Sequence, residues 1–185
     1  MLQTLLSVFP RRRHHRIRCG IIAFGVSVTC VPSAFAQRIT TEFDETVEFS
    51  KFKTFAIREG TLRSPSPALN SELTKKRVER DIEQALAAKG LTKATGNADL
   101  NLFYTLGSRR GMETETYPAG WRGRGTRVAR VPTTEGNLII DLRDPTTRSL
   151  VWRGIATEEK PNPAKLAEKL DDMVKKLIAK YPPKK

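Results

Sequence analysis

The sequence predicts an α+β domain of two layers, a mixed sheet of about five strands with two amphipathic helices on one face. Three observations carry that prediction. Apolar residues alternate at Leu138, Ile140 and Leu142 and again at Leu150, Trp152 and Ala156, on either side of an Asp144-Pro145-Thr146-Thr147 turn, which describes an antiparallel hairpin. Two further segments, 71–89 and 163–181, carry apolar stripes at helical spacing. A half-buried strand pattern at Leu100, Leu102, Tyr104 and Leu106 follows the first of those helices, so strand, helix and strand form a unit whose two strands should be parallel and right-handed.

The chain opens on a segment of different character. A basic stretch, Arg11 to Arg18, leads into an apolar run from Cys19 to Val31 and then to Ser33-Ala34-Phe35-Ala36 before Gln37. Ala34 and Ala36 fit an A-x-A cleavage site ahead of Gln37, so residues 1–36 read as a cleaved export signal. The apolar run is too short to span a bilayer. The alternative is lipidation at Cys30, but Ser27 and Thr29 are a poor match to the residues that precede a lipidated cysteine.

Cleavage changes the chemistry available. Both cysteines, Cys19 and Cys30, and both histidines, His14 and His15, leave with the signal. So do five of the 33 basic residues, which leaves 28 against 20 acids, a net charge of +8 in place of +13. Residues 37–185 suit a single domain with one core, and no disulfide can brace it.

The mature elements follow in order. Ile39–Phe43 and Val47–Ile57 read as two short strands joined at the Asp44-Glu45 corner. Residues 60–70 contain Ser64-Pro65-Ser66-Pro67, and proline lacks an amide donor, so this is a loop. In the first helix Val78, Ile82, Ala85 and Leu86 share a face opposite Lys76, Arg77, Arg80 and Glu83, with Asn70 or Ser71 as cap and Gly90 as terminator. Residues 107–136, rich in Gly, Arg and Thr and without either periodicity, read as a long mobile loop. The last helix starts at Asn162-Pro163, runs through Leu166, Leu170, Met173, Val174, Leu177, Ile178 and Tyr181, and stops at Pro182-Pro183. Lys175, Lys176 and Lys180 complement its C-terminal dipole. Trp152 belongs to the apolar face of its strand, so it is read as core.

Together these segments resemble a family of small bacterial envelope proteins, often lipoproteins, known as domain of unknown function 4136. The resemblance rests on Phe49-Ser50-Lys51-Phe52-Lys53-Thr54-Phe55, on Ala85 to Leu91, on Ala98-Asp99-Leu100, and above all on Gly136 to Leu142 with Asp144-Pro145 and Leu150 to Gly154. It runs from about Ile39 to Pro182 and implies fold and compartment, without an activity to carry over. The chain departs from the family in lacking a good lipidation box and in carrying Arg148 where glycine is expected, which implies a strained or reshaped turn.

Chemistry is constrained mainly by what the mature chain lacks. Without His or Cys there is no Ser-His-Asp triad, no Cys-His pair and no ordinary zinc site. Gly120, Gly123 and Gly125 have no strand leading in and no helix leading out, so they do not make a nucleotide loop. No cofactor or metal is expected. Asp141, Asp144, Glu158 and Glu159 keep a carboxylate-dependent hydrolase as an alternative, although acids beside a turn are more often solvated or salt-bridged.

The positive candidate is the 107–136 segment. Arg109, Arg110, Arg122, Arg124, Arg127 and Arg130 accompany Tyr117 and Trp121, a mixture suited to an anionic partner such as lipid, polysaccharide or protein of the envelope. Such arginines can equally do no more than keep a flexible loop soluble. A basic balance also suits nucleic acid, but export removes that partner. The sequence therefore predicts a periplasmic, non-catalytic binding or scaffold module, with a membrane-anchored lipoprotein of the same family as the alternative if Cys30 is lipidated.

Overall fold

A computed structural model describes residues 37–119 and 125–183. Ala34, Ala36 and Cys30 of the signal reading lie outside these residues, as do Trp121, Arg122 and Arg124 of the candidate interaction segment. The strands are β1 (Arg38–Phe43), β2 (Thr54–Arg63), β3 (Thr92–Lys93), β4 (Leu100–Ala119), β5 (Gly125–Arg143) and β6 (Leu150–Lys160). The helices are α1 (Glu72–Ala87), α2 (Pro163–Ala167) and α3 (Leu170–Ile178), with a 3₁₀ turn at Phe49–Lys51. The class is α+β with a mixed sheet as expected, but the sheet has six strands in the order β1-β6-β5-β4-β2-β3, curled into a half-barrel.

The strand–helix–strand unit is confirmed as parallel, with β2 beside β4. Ser71 caps α1 by accepting the Thr74 amide, and Gly90 takes the left-handed conformation at φ 85° that ends it. Two early expectations need correction. The segments 39–43 and 47–57 do not pair with each other. β1 lies at one edge against β6, while β2 pairs with β4 and β3 on the far side of the sheet. The chain crosses between them through an Asp44 turn and the 3₁₀ turn, where Phe49 meets Phe43, Phe52 and Tyr181 edge to face. Hydrophobic clustering at the sheet's end therefore outweighs local hairpin formation. The loop at 60–70 is also shorter than read, because β2 continues to Arg63 alongside β4 before the prolines begin.

The C-terminal helix is two helices. Lys169 donates to Leu166 O at 2.9 Å, which tightens the chain between α2 and α3. The apolar stripe survives this break, with Leu166, Leu170, Met173, Val174, Leu177 and Ile178 all buried. They join Leu100, Leu102, Leu106, Leu138, Ile140, Leu142 and Trp152 from the sheet and Val78, Ile82 and Leu86 from α1 in one core. Gly154 and Gly136 explain how helices lie so close to β5 and β6. A side chain at Gly154 would overlap the Trp152 ring and Leu177, and one at Gly136 would overlap Leu166.

Asp99 ties the start of β4 to the start of β2. Its carboxylate accepts the Lys53 and Thr54 amides at 2.8 Å each and the Thr54 hydroxyl at 2.9 Å, and these bonds hold its pKa below the usual carboxylate value. A carboxylate more acidic in the folded than in the unfolded chain stabilises above its unfolded pKa and ceases to do so as pH falls through the folded one. Asp99→Asn is therefore expected to flatten the loss of stability of the protein below about pH 4, as read by chemical denaturation at a series of pH values.

At the β5–β6 turn Asp144 accepts the Thr146 and Thr147 amides at 2.7 and 2.8 Å, and Arg148 sits at φ 60°. This confirms the strain inferred from arginine at a glycine position. A non-glycine residue pays about 1 kcal/mol there, so Arg148→Gly is expected to raise the thermal midpoint by several degrees.

Candidate functional site

The largest departure from expectation is the segment 107–136. It is not a loop. β4 and β5 pair antiparallel without interruption from Asn101↔Arg143 to Ala119↔Gly125. β2 leaves β4 at Gly107, and β6 leaves β5 at Thr134. Beyond those points, residues 111–119 and 125–133 form a two-stranded arm of about 30 Å at 3.3 Å per residue. The alternation that signals a strand was missing because neither face of this arm is buried in the core, so nothing selects apolar residues at every second position.

The register sorts the predicted site residues by face. One face of the arm carries Arg109, Glu113, Glu115 and Tyr117 from β4 with Arg127 and Glu135 from β5. Arg109 is engaged there, its Nη2 donating to both oxygens of Glu135 at 3.0 and 2.8 Å. The opposite face carries Arg110, Met112, Thr114 and Thr116 with Val128, Arg130 and Pro132, and no carboxylate lies among them. Met112 and Val128 are 64% and 67% exposed, which is unusual for apolar side chains in a strand. Arg110 and Arg130 are exposed and make no ion pair among the described residues. The arginines thus do not converge as one cluster. At the root of the carboxylate-free face Arg110 borders a groove walled by Pro65, Pro67, Pro132 and Pro161.

Met112 and Val128 were invisible to sequence reasoning because two isolated apolar residues sixteen positions apart carry no periodic signal. They come onto one face only through the ladder, where Met112 faces Pro132 and Val128 faces Thr116, with the Thr114–Arg130 pair between them.

The acids that kept a hydrolase open have structural partners. Asp141 accepts from Arg153 Nε and Nη2 at 2.7 Å each and from Arg143 Nη2 at 3.5 Å. The Asp141 bond holds the Arg153 guanidinium still more firmly charged. Arg143 also lies over the Phe103 ring at 5.7 Å. Asp144 is spent on its turn, buried Glu158 pairs with Lys160 at 2.5 Å, and Glu159 accepts from the Thr133 hydroxyl. Among the described residues no group of three or more His, Cys, Asp or Glu is placed to hold a metal ion. Trp152, 1% exposed, is core as expected and stacks edge to face on Tyr181. Burial pushes the Tyr181 phenol up to about 12.

Asp141→Asn is expected to cost about 1–2 kcal/mol, because it leaves the half-buried Arg153 fork without its anion. Denaturant titration measures that loss; a hydrolytic turnover abolished by the same change without loss of stability would instead assign Asp141 to catalysis.

A family model described as "Domain of unknown function (DUF4136)" matches residues 39–183. No curated protein matches significantly. Among solved structures, a PDZ domain protein from Parabacteroides distasonis is 17% identical with a TM-score of 0.56, over 80% of this chain and 37% of that one. The chain therefore spans little more than a third of that protein, and the likeness is one of fold. A DUF4136 family protein from Bacteroides thetaiotaomicron is 16% identical with a TM-score of 0.49, over 79% of this chain and 96% of that one. A PelC dodecamer from Paraburkholderia phytofirmans is 14% identical with a TM-score of 0.48, over 78% and 95%.

Proposed function

The chain belongs to the DUF4136 family, and from that premise we propose that it is an exported, non-catalytic envelope protein whose arm docks on an anionic lipid surface. The observation that supports this reading is the carboxylate-free face of the arm, where Arg110 and Arg130 alternate along the ladder with the exposed Met112 and Val128. Guanidinium groups recognise phosphate as a planar fork, while a methionine and a valine that the fold leaves in water gain by entering the headgroup boundary. The opposite face, with Glu113 and Glu115, would be repelled by the same surface, so the arm lies down on one side only. No helix among the described residues is long and apolar enough to cross a membrane. Binding in this reading is peripheral, with or without a lipid on Cys30.

The test uses protein recovered from separated cell fractions, its mass establishing whether it begins at Gln37 or at a modified Cys30. Each basic residue near an anionic surface contributes about 1 kcal/mol. Arg110→Gln with Arg130→Gln should then weaken binding to phosphatidylglycerol vesicles about thirtyfold, while Arg109→Gln, already neutralised by Glu135, should change it little. Equal binding to zwitterionic vesicles, or an unchanged affinity in the double variant, would overturn the reading. A chain found uncut in the cytoplasm would do the same.

A further inference from the structure

The arm has two open edges as well as two faces. Along 111–119 β4 has β5 as its one neighbour, and along 125–133 β5 has β4 as its one neighbour, among the described residues. No backbone hydrogen bond from elsewhere in the described chain reaches either outer edge. Unpaired strand edges of this length are templates for further strands, and proteins that must stay monomeric interrupt them. Here Pro118 and Pro132 stand only near the ends, leaving residues 111–117 and 125–131 free of proline.

The two edges are oppositely charged. Residues 111–119 hold Glu113 and Glu115 and no cation, whereas residues 125–133 hold Arg127 and Arg130 and no anion. None of the four makes an ion pair among the described residues. We propose that the β4 edge of one copy's arm pairs antiparallel with the β5 edge of a second copy's arm, so that the protein assembles head to tail through a continuous sheet of arms. Because β4 and β5 are antiparallel within an arm, two arms pointing the same way present β4 beside the neighbour's β5 in the antiparallel sense. On one face Glu113 and Glu115 then come beside the neighbour's Arg127.

A two-fold dimer is disfavoured by the same charges. Pairing β4 with a second β4 sets the glutamates against glutamates, and pairing β5 with a second β5 sets the arginines against arginines, and like charges across strands destabilise. A contact between unlike edges does not close after two copies, so it propagates into a ring when the rotation allows, and otherwise into an open filament. This inference uses the arm's edges and stands apart from the lipid reading, which uses one of its faces.

The test is the mass of the full exported protein by light scattering, without lipid and at low salt. Species larger than a dimer are expected, dissociating as salt is raised. Glu113→Arg with Glu115→Arg, and separately Arg127→Glu with Arg130→Glu, should each raise the dissociation constant at least tenfold. The fourfold variant carrying all of these changes restores opposite charges on the two edges and should assemble again. Arg110→Gln, which lies outside both edges, should weaken vesicle binding about fivefold yet leave assembly unchanged, which separates the two ideas. Circular dichroism establishes that each variant is folded. A wild-type mass of one or two copies at the highest soluble concentration would overturn the proposal, as would assembly indifferent to both charge reversals or a fourfold variant that stays dissociated.

Discussion

The β4–β5 ladder is the constraint on which everything else rests. From Asn101↔Arg143 outward it gives the sheet its central pair, and β2 and β6 can join only where that pair offers them an edge. Its register also decides which residues go inward. Leu102, Tyr104 and Leu106 oppose Leu142, Ile140 and Leu138, and a slip of one residue would turn the three of the slipped strand toward water. The same ladder, carried past the point where its neighbours stop, becomes the arm.

Helices cover the inner side because that side is both apolar and shallow. Gly136 and Gly154 open depressions that Leu166, Leu177 and the Trp152 ring fill, so helix and sheet approach more closely than ordinary side chains permit. α1 and α3 are also tied at their ends by Lys89 Nζ donating to Ala179 O at 3.0 Å, while the Tyr104 hydroxyl of β4 donates to Glu79 on α1 at 3.1 Å. Two carboxylates do the corresponding work away from the helices. Asp99 secures β2 to β4, and Asp141 holds Arg153 across from β5 to β6. Acids engaged in this way serve the fold, which is why their number says little about chemistry.

The arm stands outside this economy of burial. It contributes no side chain to the core below Gly111, yet it keeps exposed apolar residues on one face and unlike charges on its two strands. Such a segment is costly to keep ordered and prone to unwanted pairing. The docking proposed for its face and its edges would give those features a physical use.

Much of the domain was legible because burial writes itself into sequence. The stripe from Leu166 to Ile178, the alternation from Leu138 to Leu142, the Ser71 and Asn162 caps and the strained Arg148 each follow from local rules that tertiary context did not override. Where burial is absent the sequence was silent. The arm is held by backbone hydrogen bonds, which every residue type except proline can make, and so a strand that is solvated on both faces reads as a loop. Strand order was equally hidden, since β1 and β2 are neighbours in the chain but are parted by three strands in the sheet. By itself the sequence determined the class of the fold, the two helical segments and the confinement of His and Cys to residues 1–36, all of them properties of single residues and short periods. Only the tertiary structure decided that Arg110, Met112, Val128 and Arg130 share a face, because that depends on the register between two distant strands.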